Sequence, residues 1–336
     1  MKILFYGWYE NNNIGDESYR LSLPMLFPGC APTFVNELSH ELVGSHDLIV
    51  LGGGNVLNRQ FVRSLAPYRG VKPIYAVSVG CCDWSLTAED FSIFTKIIIR
   101  DRNSEHFLNG LGVKNQLIPD AAFMLSPQIE DGRELIKRQF AQENAELMDK
   151  VVAVVVNAYI PRDGQSQLAR DDFRFQMFSY DLADVCDRLK ASCIFIPFGA
   201  KQPWDDRVSN GWVAMKCTLP QKNVVVYERY APQQILNIIS AVDVVVSTRL
   251  HSTIFSLLSG TPFLDICHND KNKFFRKSIS VGDYVDYWNF SRDVTLDKIN
   301  GLLNISTEGK DAYRSEGARM KDLVVNHPML LDEPTY

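Results

Sequence analysis

Short apolar runs alternate with amphipathic stretches along the first third of the chain. The apolar runs predict strands at residues 3–7, 33–36, 48–51, 74–79, 96–99 and 116–118. The stretches between them carry apolar residues at helical spacing and predict helices at 16–26, 59–67 and 104–111. The strands lack strict alternation of apolar and polar residues, which is typical of parallel strands covered on both faces. The repeated strand–helix order predicts a doubly wound α/β sheet.

The same pattern starts again after a charged amphipathic segment at 131–147. Predicted strands follow at 151–156, 193–197, 224–227, 244–247 and 263–266. Predicted helices follow at 172–190, 232–241, 251–258 and 308–325. The restart predicts two Rossmann-like domains, residues 1–128 and 150–305. We expect the remaining segment, 306–336, to form a helix that packs back on the N-terminal domain.

Composition narrows the class of protein. The 336 residues, 46% of them hydrophobic, fit two globular domains of roughly 150 residues each. A net charge of -5 without a basic run argues against a nucleic-acid partner. No apolar run approaches the ~18 residues of a membrane span, so we expect no integral membrane segment. The first apolar piece is too short for a signal peptide, so we expect a cytoplasmic protein with reduced cysteines.

In open parallel sheets, ligands bind beyond the carboxyl ends of the strands. The loop after the first strand contains Asn13, Gly15 and Asp16, which either cap the next helix or bind a hydroxyl-rich ligand. Gly53 and Gly54 belong to a glycine run after the third strand. They permit close approach of a ligand, and the alternative is a tight strand–helix turn. The run is not a dinucleotide or nucleoside triphosphate motif.

Arg100 ends the predicted strand at 96–99, where an arginine can bind a carboxylate or phosphate with both arms of its fork. The alternative is a surface ion pair with Asp101. Arg102 is expected to be solvated.

The segment after the strand at 244–247 contains the most promising candidate site residues of the chain. In extended geometry Arg249 and His251 point the same way, and a helix is predicted from about Ser252. Guanidinium, imidazole and the free N–H groups of a helix start suit an anionic donor and a proton transfer. The alternative for His251 is a hydrogen-bonded core residue. Lys271 lies in a predicted loop after the strand at 263–266, where it either binds ligand or is solvated.

Together these segments resemble the polysaccharide pyruvyl transferase family. They occur in the family's order over about residues 1–275, and they are Asn13-Ile14-Gly15-Asp16, Gly52-Gly53-Gly54, Arg100-Asp101 with Ser104 and Leu111-Gly112, Arg249-Leu250-His251, Gly260-Thr261-Pro262 and Lys271. The resemblance implies a GT-B-type architecture in which two Rossmann-like domains face a cleft. It places the acceptor on the N-terminal side and the donor on the C-terminal side.

The resemblance also implies the reaction, transfer of a pyruvyl group from phosphoenolpyruvate to a sugar of a glycan as a ketal. It implies that the donor site is lined by Arg100, Arg249, Leu250, His251 and Lys271. We expect further substrate contacts from Ser252, Asn13, Gly15, Asp16, Gly53 and Gly54. His251 is the preferred general acid/base, because an ordinary histidine pKa of ~6.5 suits proton transfer near neutrality. No metal-ligand spacing is present, so we expect no metal and no cofactor besides the donor substrate.

Two departures from the family pattern concern the acceptor more than the donor. His268-Asn269-Asp270-Lys271 stands where the family often has Tyr-Asp-Pro-Lys, and Gly80-Cys81-Cys82-Asp83-Trp84 replaces a turn that is rich in glycine and ends in proline. Two alternatives stay open at this point. The first is a GT-B glycosyltransferase that uses a nucleotide sugar, for which only Asp265 and Asp270 are available near residues 260–275. The second is a non-catalytic glycan- or anion-binding protein, against which the intact Arg249, His251 and Lys271 argue.

Overall fold

The computed structural model describes residues 1–157, 159–162, 165–168, 173–202, 205–268 and 270–327, with backbone alone for 159–162, 165–168 and 270–271. The chain forms two compact units. Unit 1 contains Met1–Asn11, Gly15–Leu125 and the segment from Arg319. Unit 2 contains Asn12–Ile14 and Ser126–Ala318.

Unit 1 is built on a parallel six-stranded sheet of order β2-β1-β3-β4-β5-β6. Its strands are β1 (Lys2–Tyr6), β2 (Ala31–Val35), β3 (Leu48–Leu57), β4 (Ile74–Cys81), β5 (Lys96–Ile99) and β6 (Gln116–Leu117). The helices that connect them are α1 (Ile14–Ser22), α2 (His40–Gly44), α3 (Arg59–Leu65), α4 (Ala88–Phe91) and α5 (Arg102–Gly110). The chain changes direction across the sheet between β1 and β3, and such a switch point is where α/β sheets bind ligands.

Unit 2 contains a second parallel six-stranded sheet, of order β11-β10-β7-β12-β13-β14. Its strands are β7 (Val151–Val155), β10 (Ser192–Phe195), β11 (Asn223–Val225), β12 (Val244–Ser247), β13 (Phe263–Cys267) and β14 (Asp283–Asp286), with a separate antiparallel pair of β8 (Tyr159–Arg162) and β9 (Gln165–Leu168). Counted from β7, this is the dinucleotide-fold order 3-2-1-4-5-6, whose switch point lies between β7 and β12.

The helices of the second half are α6 (Ile129–Gln142), α7 (Phe173–Arg188), α8 (Asp206–Ala214), α9 (Pro232–Ala241), α10 (Leu250–Ser259), α11 (Asp270–Ser278), α12 (Arg292–Leu303) and α13 (Thr307–Val325). Helix α13 is shared by the two units, since the division falls between Ala318 and Arg319. Its Gly317 lies directly against the backbone of Leu257 in α10. Packing of residues 306–336 on the N-terminal domain stays a prediction. Among the helices that the structure describes, none is both long and apolar enough to cross a membrane.

The sequence pattern predicted that the third strand ends at the glycine run. This prediction is wrong. Strand β3 continues through Gly52, Gly53 and Gly54 to Leu57, with Gly52 and Gly54 paired to β4 and a register shift between Gly54 and Leu57. Gly53 and Gly54 have φ of 71° and 83°, which only glycine adopts without strain. The run is therefore an irregular stretch inside the strand, and the chain turns at Asn58, which caps α3.

Candidate functional site

In unit 2, the segment after β12 is fixed at the switch point of the sheet. The Thr248 amide donates to Val155 O (2.9 Å), and the Thr248 Oγ1 accepts a hydrogen bond from the Asn157 amide (2.8 Å). The Thr248 carbonyl accepts one from the buried Asn272 Nδ2 (3.2 Å). Strand β7 and helix α11 therefore hold this turn from two sides.

Arg249 follows Thr248 and forms a two-point ion pair with Asp206, the first residue of α8. Its Nη2 lies 2.5 Å from Asp206 Oδ1, and its Nε lies 3.1 Å from Oδ2. The Asp206 side chain is fully buried, whereas that of Arg249 is 18% exposed. Because Asp206 occupies Nε and Nη2, Nη1 is the arm of the guanidinium that the described residues leave for another acceptor.

Asp206 is itself held by the backbone beyond β10. Its Oδ2 accepts hydrogen bonds from the amides of Phe198 (3.0 Å) and Gly199 (2.9 Å). Asn13 lies beside the same segment and forms an isolated antiparallel bridge with Gly199. The structure thus brings the predicted residue Asn13 next to the support of Arg249, within unit 2.

Helix α10 begins at Leu250, earlier than the predicted start near Ser252. Arg249 is its N-cap, with φ −107° and ψ 130°, and makes no side-chain cap hydrogen bond. Ser252 Oγ donates to the Arg249 carbonyl (2.5 Å), and Ser247 Oγ accepts from the Arg249 amide (2.8 Å). No N-cap side chain therefore satisfies the first N–H groups of α10, and a helix start of this kind can bind an anion.

His251 lies in that first turn, and its side chain is half-buried. The expected extended geometry from Arg249 to His251 is wrong, because the backbone turns helical at Leu250. Their proximity survives for a different reason: both stand within the opening turn of α10. Lys271 belongs to the first turn of α11 rather than to a loop, and its side chain lies outside the described residues.

A second histidine, His268, lies directly beyond β13 and is buried. Burial first, and then the positive charge of Arg249, lower the pKa of His268 to about 4, so it is neutral near pH 7. Its neighbour on the same strand, Asp265, is also buried and accepts a hydrogen bond from Thr253 Oγ1 (2.6 Å). Burial raises the pKa of Asp265 to about 7, and this outweighs the opposing effects of Thr253 and Arg276.

Unit 1 contains the other predicted cation, Arg100, at the end of β5. Its side chain is 3% exposed, and its Nη1 lies 2.7 Å from the equally buried Asp120 Oδ2. Nη1 also donates to the Tyr19 hydroxyl, and Nη2 donates to Asn55 Oδ1 (2.9 Å). Although burial alone would lower it, Tyr19, Asp120 and Asp101 raise the pKa of Arg100 above its ordinary value. The Nε of Arg100 is buried without a hydrogen-bond partner among the described residues.

The predicted residues of the glycine run and the first loop surround this arginine cluster. The Tyr19 ring lies so close to Gly53 that a side chain at this position would overlap it. At Gly54, a Cβ atom would lie 2.7 Å from Asp16 Oδ1. Asp101 caps α5 through Ser104 N (2.9 Å), and the ion-pair partner of Arg100 is Asp120. Close backbone approach of these side chains is therefore the structural reason for the two glycines.

The structure groups the predicted residues by unit. Asn13, Arg249, Leu250, His251 and Ser252 lie together in unit 2. Arg100, Gly15, Asp16, Gly53 and Gly54 belong to unit 1. Their convergence on one site stays a prediction. No group of three potential metal ligands occurs among the residues with described side chains.

Sequence reasoning missed the partners of both arginines. Asp206 is the first residue of α8, a helix whose apolar pattern was too weak to predict it. The Asp205-Asp206 pair was the only feature of the sequence that could have indicated the start of this helix. Asp120 follows a two-residue strand. Tyr19 and Asn55 gave no signal separate from their neighbours. His268 was visible as a polar residue at a strand end.

Comparison with known proteins decides the family. A family model described as Polysaccharide pyruvyl transferase matches residues 2–266. The chain belongs to the polysaccharide pyruvyl transferase family. The resemblance inferred from the ordered motifs is thereby confirmed, and the match covers the Arg100 cluster and the Arg249 turn of this family member. Comparison with curated proteins finds no match.

Solved structures show the fold of this pyruvyl transferase family member. A putative UDP-N-acetylglucosamine 2-epimerase from Listeria monocytogenes has a TM-score of 0.65 at 9% identity, covering 96% of this chain and 93% of that one. UDP-GlcNAc 2-epimerase from Neisseria meningitidis, bound to UDP-GlcNAc, has a TM-score of 0.60 at 10% identity, covering 98% and 99%. A UGT transferase from Siraitia grosvenorii in complex with UDP has a TM-score of 0.56 at 10% identity, covering 98% and 97%. The predicted α/β fold class of GT-B type, with two Rossmann-like units, is confirmed.

Proposed function

We propose that the protein transfers a pyruvyl group from phosphoenolpyruvate to a sugar of a glycan and forms a ketal. Family membership supports a pyruvyl transferase. The observation that carries the proposal is the opening of α10, where a partly exposed guanidinium stands at a helix start that no N-cap side chain fills. An imidazole lies in the same turn.

The geometry suits a small dianionic or trianionic donor. The Asp206 pair fixes Arg249 in one orientation, so Nη1 needs no rearrangement to donate to a phosphate or carboxylate oxygen. The N–H groups of the first turn of α10 add a second set of donors and the positive end of the helix dipole. Phosphoenolpyruvate carries a phosphate and a carboxylate, one for each set. Lys271, in the first turn of α11, is the further cation that we assign to the donor.

In the proposed reaction, a sugar hydroxyl oxygen bonds to C2 of phosphoenolpyruvate while C3 takes up a proton and becomes a methyl group. A second hydroxyl then bonds to C2, the C2–O bond to phosphate breaks, and inorganic phosphate leaves. One hydroxyl proton balances the proton gained at C3, and the other leaves with the phosphate. We assign the proton transfer to His251, because it stands in the same turn as the donor-binding groups. Asp16 is the acidic group that we assign to the acceptor hydroxyl.

The test combines two donors with a panel of glycan acceptors. The whole chain is incubated with phosphoenolpyruvate or with UDP-sugars, and phosphate release and acceptor mass are followed. We expect phosphate release that depends on acceptor and a mass gain of one pyruvyl unit as a ketal. Transfer of a hexose from a UDP-sugar would instead establish the nucleotide-sugar alternative. If the protein binds an acceptor saturably but consumes neither donor, it is a glycan-binding protein and the proposed enzyme activity is wrong.

A further inference from the structure

A cavity of about 560 Å³ opens in unit 1, and no residue of the Arg100 cluster is among the described residues that line it. Its lining includes Tyr6 at the end of β1, Asn36 after β2 and Gln60 on α3. It therefore lies beyond the carboxyl ends of strands and next to the switch point between β1 and β3, where α/β sheets bind ligands. Its volume falls in the range of small-molecule sites.

Two of the lining side chains, Tyr6 and Phe61, are aromatic and pack against each other. Tyr6 is 4% exposed, and its ring centroid lies 5.1 Å from that of Phe61 in a tilted arrangement. Burial raises the pKa of the Tyr6 hydroxyl, with Ser64 as its hydrogen-bond partner and the Glu37 charge nearby. The hydroxyl is thus protonated at neutral pH and belongs to a residue that lines the cavity.

The walls combine one exposed indole with amides and a single charge. Trp8 is 38% exposed, an unusual degree for a tryptophan beside a buried strand. Asn36 and Gln60 provide amide donors and acceptors, and the amide of Asn11, whose Nδ2 donates to Tyr9 O (2.9 Å), lies beside them in the lining. Among the described residues that line the cavity, Glu37 is the sole charged group.

This chemistry selects one class of ligand. A phosphate or carboxylate would meet Glu37 without a compensating cation, so an anionic donor does not fit. A pyranose ring has an apolar C–H face that packs on an indole and hydroxyls that pair with amides and a carboxylate in both hydrogen-bonding roles. We propose that this cavity, defined by Tyr6, Trp8, Asn11, Asn36, Glu37 and Gln60, binds a neutral sugar ring. That the bound sugar is the pyruvyl acceptor rests on the proposed function, whereas sugar binding itself does not.

The experiment measures sugar binding by the whole chain in the absence of phosphoenolpyruvate. The probes are methyl glycosides of glucose, galactose and mannose and of their 2-acetamido counterparts, titrated against the indole N–H resonance of Trp8. Trp8→Phe assigns that resonance. We expect one or more probes to shift it saturably at millimolar concentration, while inorganic phosphate does not.

Matched variants identify the surface. Sugar binding by the variants is measured by isothermal titration calorimetry, because the Trp8 variants lack the reporting resonance. Trp8→Ala and Glu37→Gln should each weaken sugar binding by about tenfold or more, because an aromatic anchor or a hydrogen-bonding carboxylate is lost. Trp84→Ala and Glu41→Gln are the controls, since both residues are exposed on unit 1 and do not line the cavity. Their binding should stay at the wild-type value. Trp8→Phe should retain part of the affinity, which separates a lost contact from a fold defect.

The two proposals fail separately. Absence of any saturable shift of the Trp8 resonance across the panel, or equal losses in the control variants, would overturn the sugar site even if the protein turns over phosphoenolpyruvate. Sugar binding that depends on Trp8 and Glu37 would uphold it even if no pyruvyl transfer is detected. If both hold, Trp8→Ala should raise KM for the acceptor and leave KM for phosphoenolpyruvate unchanged.

Discussion

Each unit places an arginine directly after a strand of its parallel sheet, but the two arginines have different surroundings. Arg100 follows β5 and Arg249 follows β12, and each is paired with a buried aspartate. Arg100 is almost fully enclosed and donates to Asp120, Tyr19 and Asn55. Arg249 keeps 18% of its side chain exposed and one arm unclaimed by the described residues.

This difference separates two uses of a buried ion pair. The Arg100 guanidinium donates to residues of α1, β3 and the segment after β6. We therefore expect its main effect to be on the stability of unit 1. At Arg249 the aspartate holds a guanidinium that stays partly exposed, so we expect its main effect to be on ligand binding. Both arginines follow a strand, so this position alone does not separate a stabilising arginine from a ligand-binding one. The number of protein acceptors around each guanidinium is the feature that we expect to separate them.

The largest effect should come from His251, beside the open arginine. His251→Ala should lower turnover by about 10²–10⁴-fold, the usual contribution of a general acid/base, while the urea midpoint changes little. Steady-state phosphate release on the true acceptor measures the first, and urea unfolding the second. His106→Ala, at an exposed histidine of α5, is the control and should behave as wild type. If a folded His251→Ala protein turns over at nearly the wild-type rate, His251 does not transfer the proton. Lys271 or Asp16 would then be assigned this step.

The enclosed arginine should show the opposite profile. Arg100→Leu leaves Asp120 buried without its ion-pair partner and should cost about 3–5 kcal/mol of unfolding free energy. Arg102→Leu, which removes an exposed pair with Glu105, should cost no more than about 1 kcal/mol. Urea unfolding compares the two variants. An Arg100→Leu protein as stable as Arg102→Leu would erase the distinction between the two arginine sites.

His268 provides a pH test of the open site. Its folded pKa of about 4 lies below its ordinary 6.5, so the folded state binds the proton less tightly than the unfolded state. Its contribution to stability is therefore complete above pH 6.5 and is lost as the pH falls toward about 4, by about 3 kcal/mol in total. His268→Asn should remove this acid-side loss, as measured by urea unfolding across that range.

Asp265 makes the free energy of unfolding depend on pH in the opposite direction and over an overlapping pH range. The two contributions can therefore be told apart by removing one of them. Its folded pKa of about 7 lies above the ordinary 3.8, so its contribution is complete below pH 3.8 and is lost as the pH rises toward 7. The His268→Asn protein should therefore lose stability with rising pH more steeply than wild type. An unchanged pH profile would show that burial and the charge of Arg249 do not lower the folded pKa of His268.

The smallest effect concerns the fork itself. Arg249→Lys keeps the charge but cannot hold Asp206 at two points and still present an arm, so donor affinity should fall by about tenfold. Titration with phosphoenolpyruvate measures it. Arg207→Lys is the matched control, because Arg207 makes the same two-point pair with Asp205 on the same helix. Equal losses in both variants would mean that helix α8, and not the free arm of Arg249, determines donor affinity.

Sequence patterns predicted most of the fold, because buried parallel strands are short, apolar and bounded by polar turns. Strands β5 and β12 and helix α9 have the predicted limits. Elements with weak apolar patterns were missed, such as the edge strand β14 and helix α8, because their faces are largely polar. At the site, Arg249 and His251 were predicted because the motif is local. Asp206 and Asp120 were not, because nothing in the sequence indicates which distant carboxylate will fold against a given arginine.

The interleaving of the two units along the chain bears on the order in which they can be completed during synthesis. Unit 2 is continuous from Ser126 to Ala318 apart from the Asn12–Ile14 tripeptide, whereas unit 1 receives its last segment only from Arg319. A ribosome therefore releases all of unit 2 before it releases the end of unit 1. The N-terminal sheet has all six of its strands by Leu117, but unit 1 gains the part of helix α13 from Arg319 only after the whole of unit 2 has been synthesised, a departure from a strict N-to-C order of domain completion.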